Sequence, residues 1–427
     1  MTNLSKLYLK RSIQTILIIF IGCLNVNASS ITTSNEINSD STLIVYLQEN
    51  NIELTNNNEL KLLKSGEEKF IDLFNEIEKA KHHIHLEYFN FRNDSIANSL
   101  FELLERKVKE GVEVRALFDA FGNSSNNQPL KKKHLKAIRE KGIEIEKFDP
   151  IKFPWINHAF HRDHRKIAII DGKIGYTGGM NIADYYITGL PEIGEWRDMH
   201  VKIKGEAVNK LQDIFLDMWN TCTKQDIGGL AYYPYNIDSI CYTKEGKNVA
   251  IVDRYPKRTP KVMRKVYAKA IESAKEKVQI INPYFTPTKT ITKAIKAATQ
   301  KGVKVEIMIP GKSDIPFTPN AALYIANKLR KKGADIYIYN GGFHHSKIMM
   351  VDSTYCTVGS TNLNSRSLHY DYEVNAFIFD PETTSELITM FKEDQKDSTK
   401  LTKEYYKDLS PWKRFVGWFA HLFTPFI

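Results

Sequence analysis

The sequence predicts an α/β protein built by duplication: two lobes, each a mixed, largely parallel β-sheet flanked by helices, with a site between them. Three observations predict it. Apolar strand-like segments alternate with amphipathic helical ones. The same order of segments occurs twice along the chain. And the phrase HRKIAIID, His164 to Asp171, returns about 180 residues later as HSKIMMVD, His345 to Asp352. A repeat of that length is too long for a solenoid and implies two similar lobes related by a pseudo-two-fold axis.

The N-terminus carries Lys6, Lys10 and Arg11, then an apolar run from about Ile13 to Leu24. That run suits a signal-peptide core better than a full membrane span. Val26-Asn27-Ala28 offers small residues for cleavage, and FIGC at Cys23 is an imperfect lipoprotein box. A retained anchor would give the same sidedness. No Lys or Arg occurs between Arg11 and Lys61, so the positive-inside rule predicts export of the chain beyond the apolar run. Residues 29–60 are rich in Asn, Ser and Thr and read as a linker with one weak strand, TLIVYL.

The regular part starts next. Ser65 and Glu68 have capping-box spacing, and Phe70, Leu73, Phe74 and Ile77 come after them at helical period. HIHLEYF reads as a strand. Then come a helix (SLFELLERKVKEG), a strand (VEVRALFD), a charged helix (PLKKKHLKAIREKG) and a strand (IEIEKFD). After a join between Gly228-Gly229 and Asn248, the second half repeats this order. Thr259 is the expected N-cap of TPKVMRKVYAKAIESAKEK, with Pro260 at its first position. VQIINPYF matches HIHLEYF, and ITKAIKAATQKGVKVEIMIP matches the next helix and strand.

Hydrophobic residues make up 42% of the 427, enough for a sizeable core. The net charge of +10 favours anionic partners such as phosphates or an anionic membrane face. Four cysteines without CxxC spacing argue against a cysteine-built metal site and read as isolated thiols.

The chemistry centres on the repeated phrase. Strand side chains alternate faces, so His164 and Lys166 share a face, as do His345 and Lys347. Asp171 and Asp352 fall on the other face and are expected to brace the turn. Beyond each phrase lies a small-residue turn ending in Asn: Gly178, Gly179 and Asn181, then Gly359, Ser360 and Asn362. Such turns let backbone N–H groups approach an anion, and the Asn amide can donate too. Two His and two Lys from two lobes suit a phosphodiester: the lysines bind oxygens, one imidazole attacks phosphorus and the other protonates the leaving oxygen. Such a histidine needs an acid on its far nitrogen. Asp198 and Glu373, each about thirty residues after the histidine of its own half, are the expected partners.

The doubled H-x-K-x4-D-x6-G-[GS] pattern resembles the phospholipase D superfamily, and within it the bacterial cardiolipin synthases. The resemblance runs from about Lys79 to the C-terminus. It includes HIHLEYFNFRND, EWRDMHVKIKGEAV, INPYFTP and FHHSKIMMVDSTYCTVGSTNLNSRSLHYDYEVN. It implies two phospholipase D-like domains, residues 61–235 and 236–405, and a metal-free, cofactor-free, two-step reaction through a phosphatidyl-histidine. His164 would be nucleophile and His345 general acid, then base. Lys166, Lys347, Asn181 and Asn362 would hold the phosphate. Asp198 and Glu373 would orient the histidines. The implied reaction moves a phosphatidyl group between two phosphatidylglycerols, giving cardiolipin and glycerol. A phospholipase D-like hydrolase uses the same residues; a nuclease of the superfamily is less expected, and no nucleic-acid partner is. Such synthases often carry two N-terminal spans, whereas this chain shows one short apolar segment.

His158, His161 and His164 run H-x2-H-x2-H, but His164 is already accounted for without a metal. His83, His85 and Glu87 share a strand face; the histidines are expected to be structural, and Glu87 either lines the cleft or packs at the core edge. KKKH at Lys131 to His134 reads as a solvated basic face. Residues 406–427 contain PWKRFVGWFAHLFTPFI, with Trp412, Phe415, Val416, Phe419 and Phe423 at helical spacing beside Lys413 and Arg414. This is expected to be an amphipathic helix at a membrane interface.

Overall fold

The computed structural model describes residues 41–150, 160–236, 246–315 and 318–424. The expected signal or anchor (1–28, with Cys23), residues 29–40 of the linker, His158 and Cys241 lie outside the described residues.

Each half folds into its own sheet. The first, in spatial order, runs Asn58–Leu63, His200–Gly205, Ile174–Gly178, Lys166–Ile170, His83–Tyr88, Glu113–Asp119 and Glu144–Phe148. The second runs Leu54–Thr55, Asn248–Arg254, Glu373–Phe379, Tyr355–Gly359, Ile348–Val351, Lys277–Ile281, Lys304–Pro310, Asp335–Tyr339 and Ser398–Lys400. The parallel part is narrower than the sequence suggests. Within these two sheets only His83–Tyr88, Glu113–Asp119 and Glu144–Phe148, and their three counterparts, pair in parallel; the other ladders of the two sheets are antiparallel. Helical crossovers join only those three strands in each half. The later strands are antiparallel neighbours, with a short turn between Lys166–Ile170 and Ile174–Gly178 and between Ile348–Val351 and Tyr355–Gly359.

The two sheets pack face to face. Ile167, Ile169 and Val201 of the first share one apolar cluster with Ile348, Met350 and Val374 of the second. Helices Ala207–Thr223 and Pro381–Lys396 join that middle layer through Phe215, Trp219, Leu387 and Phe391. The outer faces carry their own helices and cores. The repeated phrases therefore need apolar residues on both faces, and all of KIAII and IMMV is buried.

Residues 41–60 are not a linker. TLIVYL lies in the helix Ser41–Glu49, not a strand, and its buried Leu43 and Leu47 join the second lobe's core at i, i+4 spacing. Leu54–Thr55 then edges the second sheet and Asn58–Leu63 the first, so this segment ties the lobes together. Thr259 is also not the N-cap: Lys261 is, and the Thr259 hydroxyl accepts from Tyr255 N and donates to Asp253 O. Cys222 and Cys356 are free, and burial pushes both thiols up to about 12, which keeps them unreactive.

Candidate active site

The strand Lys166–Ile170 projects Lys166 inward and places His164 two residues earlier on the same face. The approach to His164 is held by the other lobe. His164 N donates to Tyr372 O at 3.1 Å, and Tyr372 N donates to Arg162 O at 2.9 Å. The second half repeats the device: Gly342–His344 pairs in parallel with Glu195–Arg197, and His345 N donates to Arg197 O at 2.6 Å. Each histidine is therefore stitched to the segment that carries the other lobe's acid.

The acids are exchanged accordingly. His164 Nδ1 lies 3.0 Å from Glu373 Oε1, and His345 Nδ1 lies 2.7 Å from Asp198 Oδ2. The expectation that each acid serves the histidine of its own half is corrected. The pairing between lobes brings position 373 to 164 and position 198 to 345. With Nδ1 occupied, each imidazole presents Nε2 to the cleft.

The lysines are equally symmetric. Lys166 Nζ donates to His164 O, and Lys347 Nζ to His345 O, each at 2.5 Å. Burial, opposed by nearby acids, lowers Lys166 to about 8 and Lys347 to about 7. Burial, Lys166 and Lys347 push His164 well below its ordinary value, so it stands neutral. His345 is also lowered, by burial and Lys347, but Asp198 opposes that shift. The acids differ. Burial raises Asp198, but Lys347 and His345 outweigh it and hold its carboxyl below the usual range. Burial raises Glu373 to about 7 against Lys166 and the Ser360 hydroxyl, which donates to it.

Asp171 and Asp352 face away from the cleft. Asp171 accepts from the backbone N–H groups of Lys81, His82 and His83 at 2.7–3.1 Å. Asp352 accepts from Lys275, Glu276 and Lys277 at 2.6–2.8 Å. Both have positive φ, 53° and 51°, at a turn that clamps the start of the neighbouring strand.

In two of the small residues the backbone N–H expected to meet an anion is already engaged. Gly179 N donates to Met199 O and Ser360 N to Val374 O. A Cβ on Gly179 would lie 2.1 Å from Asp198 Oδ1, and one on Gly359 would lie 2.3 Å from Asn375 Cγ. One on Gly178 would meet His200. Gly178, Gly179 and Gly359 are thus small because neighbouring side chains and backbone approach them closely, and Ser360 places its hydroxyl on Glu373. Asn181 and Asn362 are both buried; the Oδ1 of each has no hydrogen-bond partner among the described residues, and Asn181 Nδ2 donates to the Tyr186 hydroxyl at 3.3 Å.

Other expected residues fall outside the cleft. Glu87 is buried against Arg165, which also reaches Asp253. His83 and His85 share Gln212, and Arg115 continues the chain to Tyr232. His161 donates from Nδ1 to Tyr370 O. Among the described residues no three His, Cys, Asp or Glu side chains converge as a metal group. Sequence reasoning missed the rings around His345: Trp196 and Phe343 at 5.3 Å and Tyr284 at 5.9 Å. Phe89 lies 5.2 Å from His164. Trp196 and Tyr284 sit in the phrases EWRD and INPYF, the one signal that could have marked them.

Similarity to known proteins agrees with this geometry. A family model described as "Cardiolipin synthase, PLD-like domain" matches residues 73–219 and 267–395, one stretch in each lobe. Cardiolipin synthase 2 of Staphylococcus epidermidis is 38% identical over 378 residues, covering 88% of this chain and 75% of that one. A cardiolipin synthase of Listeria monocytogenes is 37% identical over 378 residues, covering 88% and 76%. The phosphatidylserine synthase of Haemophilus influenzae, at 16% identity and a TM-score of 0.66, covers 90% of this chain and 100% of its own and shares the fold. Matched in both lobes and across most of its length, the chain belongs to the cardiolipin synthase family of phospholipase D-like proteins.

Proposed function

We propose that the protein is a phosphatidyltransferase of the cardiolipin synthase type, which moves a phosphatidyl group from one phosphatidylglycerol to another. The observation that carries this is the crossed pair of histidine–acid contacts with a lysine beside each histidine. His164, neutral and with Nδ1–H donating to Glu373, attacks phosphorus through Nε2. The bond from phosphorus to the headgroup glycerol oxygen breaks, and His345 gives that oxygen its proton. Asp198, held ionised, favours the protonated His345 this step needs. Lys166 and Lys347 neutralise the phosphate oxygens, and Asn181 and Asn362 add amide donors. In the second step His345 takes the proton from a hydroxyl of the incoming phosphatidylglycerol. That oxygen attacks phosphorus, the phosphorus–nitrogen bond breaks, and cardiolipin leaves. Asp171 and Asp352 act only by holding the strands.

The basic N-terminus ahead of an apolar run supports membrane attachment with the catalytic lobes on the exported face. No helix of the described residues is long and apolar enough to cross a membrane. A reporter fused after residue 60 tests the location: signal in the cytoplasm would defeat it. The reaction is tested with purified protein, labelled phosphatidylglycerol and mixed micelles. Cardiolipin and glycerol in equal amounts are expected. Phosphatidic acid and glycerol would make the protein a hydrolase instead.

A further inference from the structure

The exposed large apolar side chains are unevenly distributed. Trp412, Phe415, Trp418, Phe419, Leu422 and Phe423, in and just after the helix Pro411–His421, are 42–70% exposed. Their rings stack along one face, with Trp412–Phe415 at 5.7 Å and Phe415–Phe419 at 6.1 Å. Four further exposed side chains stand beside the two half-sites: Phe121, Phe160, Ile187 and Ile315. The remaining three, Val45, Ile71 and Leu230, stand on separate elements. Single exposed residues of that kind are ordinary, whereas a concentration at one place is not.

Each of these four rim residues lies one or a few residues along the chain, or one ring contact, from a group that leads to a histidine of the site. Phe121 precedes Gly122, which abuts Phe89, whose ring packs on His164. The Phe160 ring lies 6.2 Å from that of Tyr370, in the segment leading to Glu373. Ile187 comes just after Tyr185 and Tyr186, whose rings lie 4.4 Å and 5.8 Å from Trp196, against His345. Ile315 comes just after Asp314, which accepts from the Tyr284 hydroxyl at 2.6 Å; Tyr284 also packs on His345.

The C-terminal helix is seated at the same place. Thr318 opens the helix Thr318–Arg330 and donates from Oγ1 to Ile315 O at 2.9 Å. Two residues on, Asn320 O lies 2.7 Å from where a Cβ on Gly417 would be. Gly417 is thus the close-approach point of the C-terminal helix, and it meets the same helix start that holds Ile315. Lys413 and Arg414 lie on the C-terminal helix, and exposed Lys312 lies in the rim loop, on a chain of net charge +10.

We infer that the cleft rim and the outward face of the C-terminal helix form one surface that docks on an anionic lipid bilayer, so that the cleft opens into the headgroup layer. Tryptophan and phenylalanine flanked by cations are suited to that depth. The inference deepens the proposed lipid chemistry by naming the physical partner of the site, and rests on it only for the turnover readout below.

The test uses the full chain with vesicles of phosphatidylglycerol and phosphatidylcholine, the latter brominated near the headgroup end of its chains. Wild-type tryptophan emission is expected to be quenched, and Trp412→Phe/Trp418→Phe to lose more than about half of that quenching. In that background Ile187→Trp and Ile315→Trp restore it. Leu230→Trp, exposed on the turn beside Tyr232 and His83, does not. No quenching in wild type, none at the rim positions, or equal quenching at Leu230→Trp overturns the inference. A concentration-dependent blue shift without vesicles that matches the one with vesicles would make a second copy the occupant and overturn it too. Separately, Phe415→Ser/Phe419→Ser should cut turnover of vesicle phosphatidylglycerol about tenfold or more and leave turnover of monomeric short-chain lipid unchanged. A wild-type protein inactive on both lipids would defeat the proposed reaction, while the quenching result would still decide the docking.

Discussion

His164 and Glu373 are separated by 209 residues and lie 3.0 Å apart. The matching contact, His345 to Asp198, spans 147 residues in the opposite direction. Neither half of the duplicated chain completes the acid contact of its own H-x-K histidine.

The exchange has a chemical signature. Glu373→Gln and Asp198→Asn should each lower kcat about 10²–10⁴-fold, as loss of an orienting acid does in other relays. They should differ with a lipid whose leaving group is an activated phenol. That leaving group needs no proton, so Asp198→Asn and His345→Ala recover their first step, while Glu373→Gln and His164→Ala do not. Recovery by Glu373→Gln and not by Asp198→Asn would show that each acid serves its own half.

The pH profile derives from the raised carboxyl. A protonated Glu373 would donate to His164 Nδ1 and leave Nε2 carrying the proton, so the attacking lone pair requires ionised Glu373. kcat/KM should rise with pH through about 7, the value of Glu373, and fall as Lys347 and Lys166 lose protons at about 7 and about 8. The predicted curve is a narrow bell whose acid limb flattens in Glu373→Gln. A rate unchanged between pH 6 and 8 would contradict it.

Gly179→Ala tests the close approach of the acid. Its Cβ would lie 2.1 Å from Asp198 Oδ1, so Asp198 must move off His345. Activity should drop about 10²-fold or more while the thermal midpoint falls by only a few degrees. Equal activity in the variant would return the glycine to a simple turn role.

Asp171→Ala should act on stability. It removes the acceptor of three backbone N–H groups and puts alanine at a φ of 53°. A loss of about 2–4 kcal/mol by denaturant titration is expected, with kcat per folded molecule within about twofold. A large kcat loss at unchanged stability would place this carboxylate in the reaction.

His83 should make the fold acid-sensitive. Burial lowers it to about 4, so between about 6.5 and about 4 the unfolded chain binds a proton that the folded one does not. Its contribution to stability is present above 6.5 and is lost as pH falls through that window. Glu373 and Asp119, raised by burial to about 7, act with the opposite sign: the folded state keeps protons that the unfolded chain releases near 4. Denaturant midpoints at pH 4.5 and 7 should lie closer together in His83→Gln than in wild type if the histidine dominates; an unchanged gap would assign it to the carboxyls.

Sequence periodicity locates what depends on local spacing. His164, Lys166, His345 and Lys347 are legible because strand alternation and duplication are one-dimensional signals. The partner acids are legible as residues but not as pairs, because the exchange arises only when the two lobes dock. The glycines point to an anion in the sequence because smallness permits close approach without saying what approaches. TLIVYL reads as a strand because a short apolar run fits either period until Leu43 and Leu47 find a common core. The ring wall of His345 is hidden because Trp196 and Tyr284 come from distant segments that only the fold brings to Phe343 and His345.

The most direct measurement is peptide mass spectrometry of the His345→Ala variant after exposure to a phosphatidyl ester of an activated phenol. Without the second-step base, one phosphatidyl group should accumulate on the peptide containing His164. No adduct despite release of the phenol, or an adduct on another residue, would contradict transfer through His164.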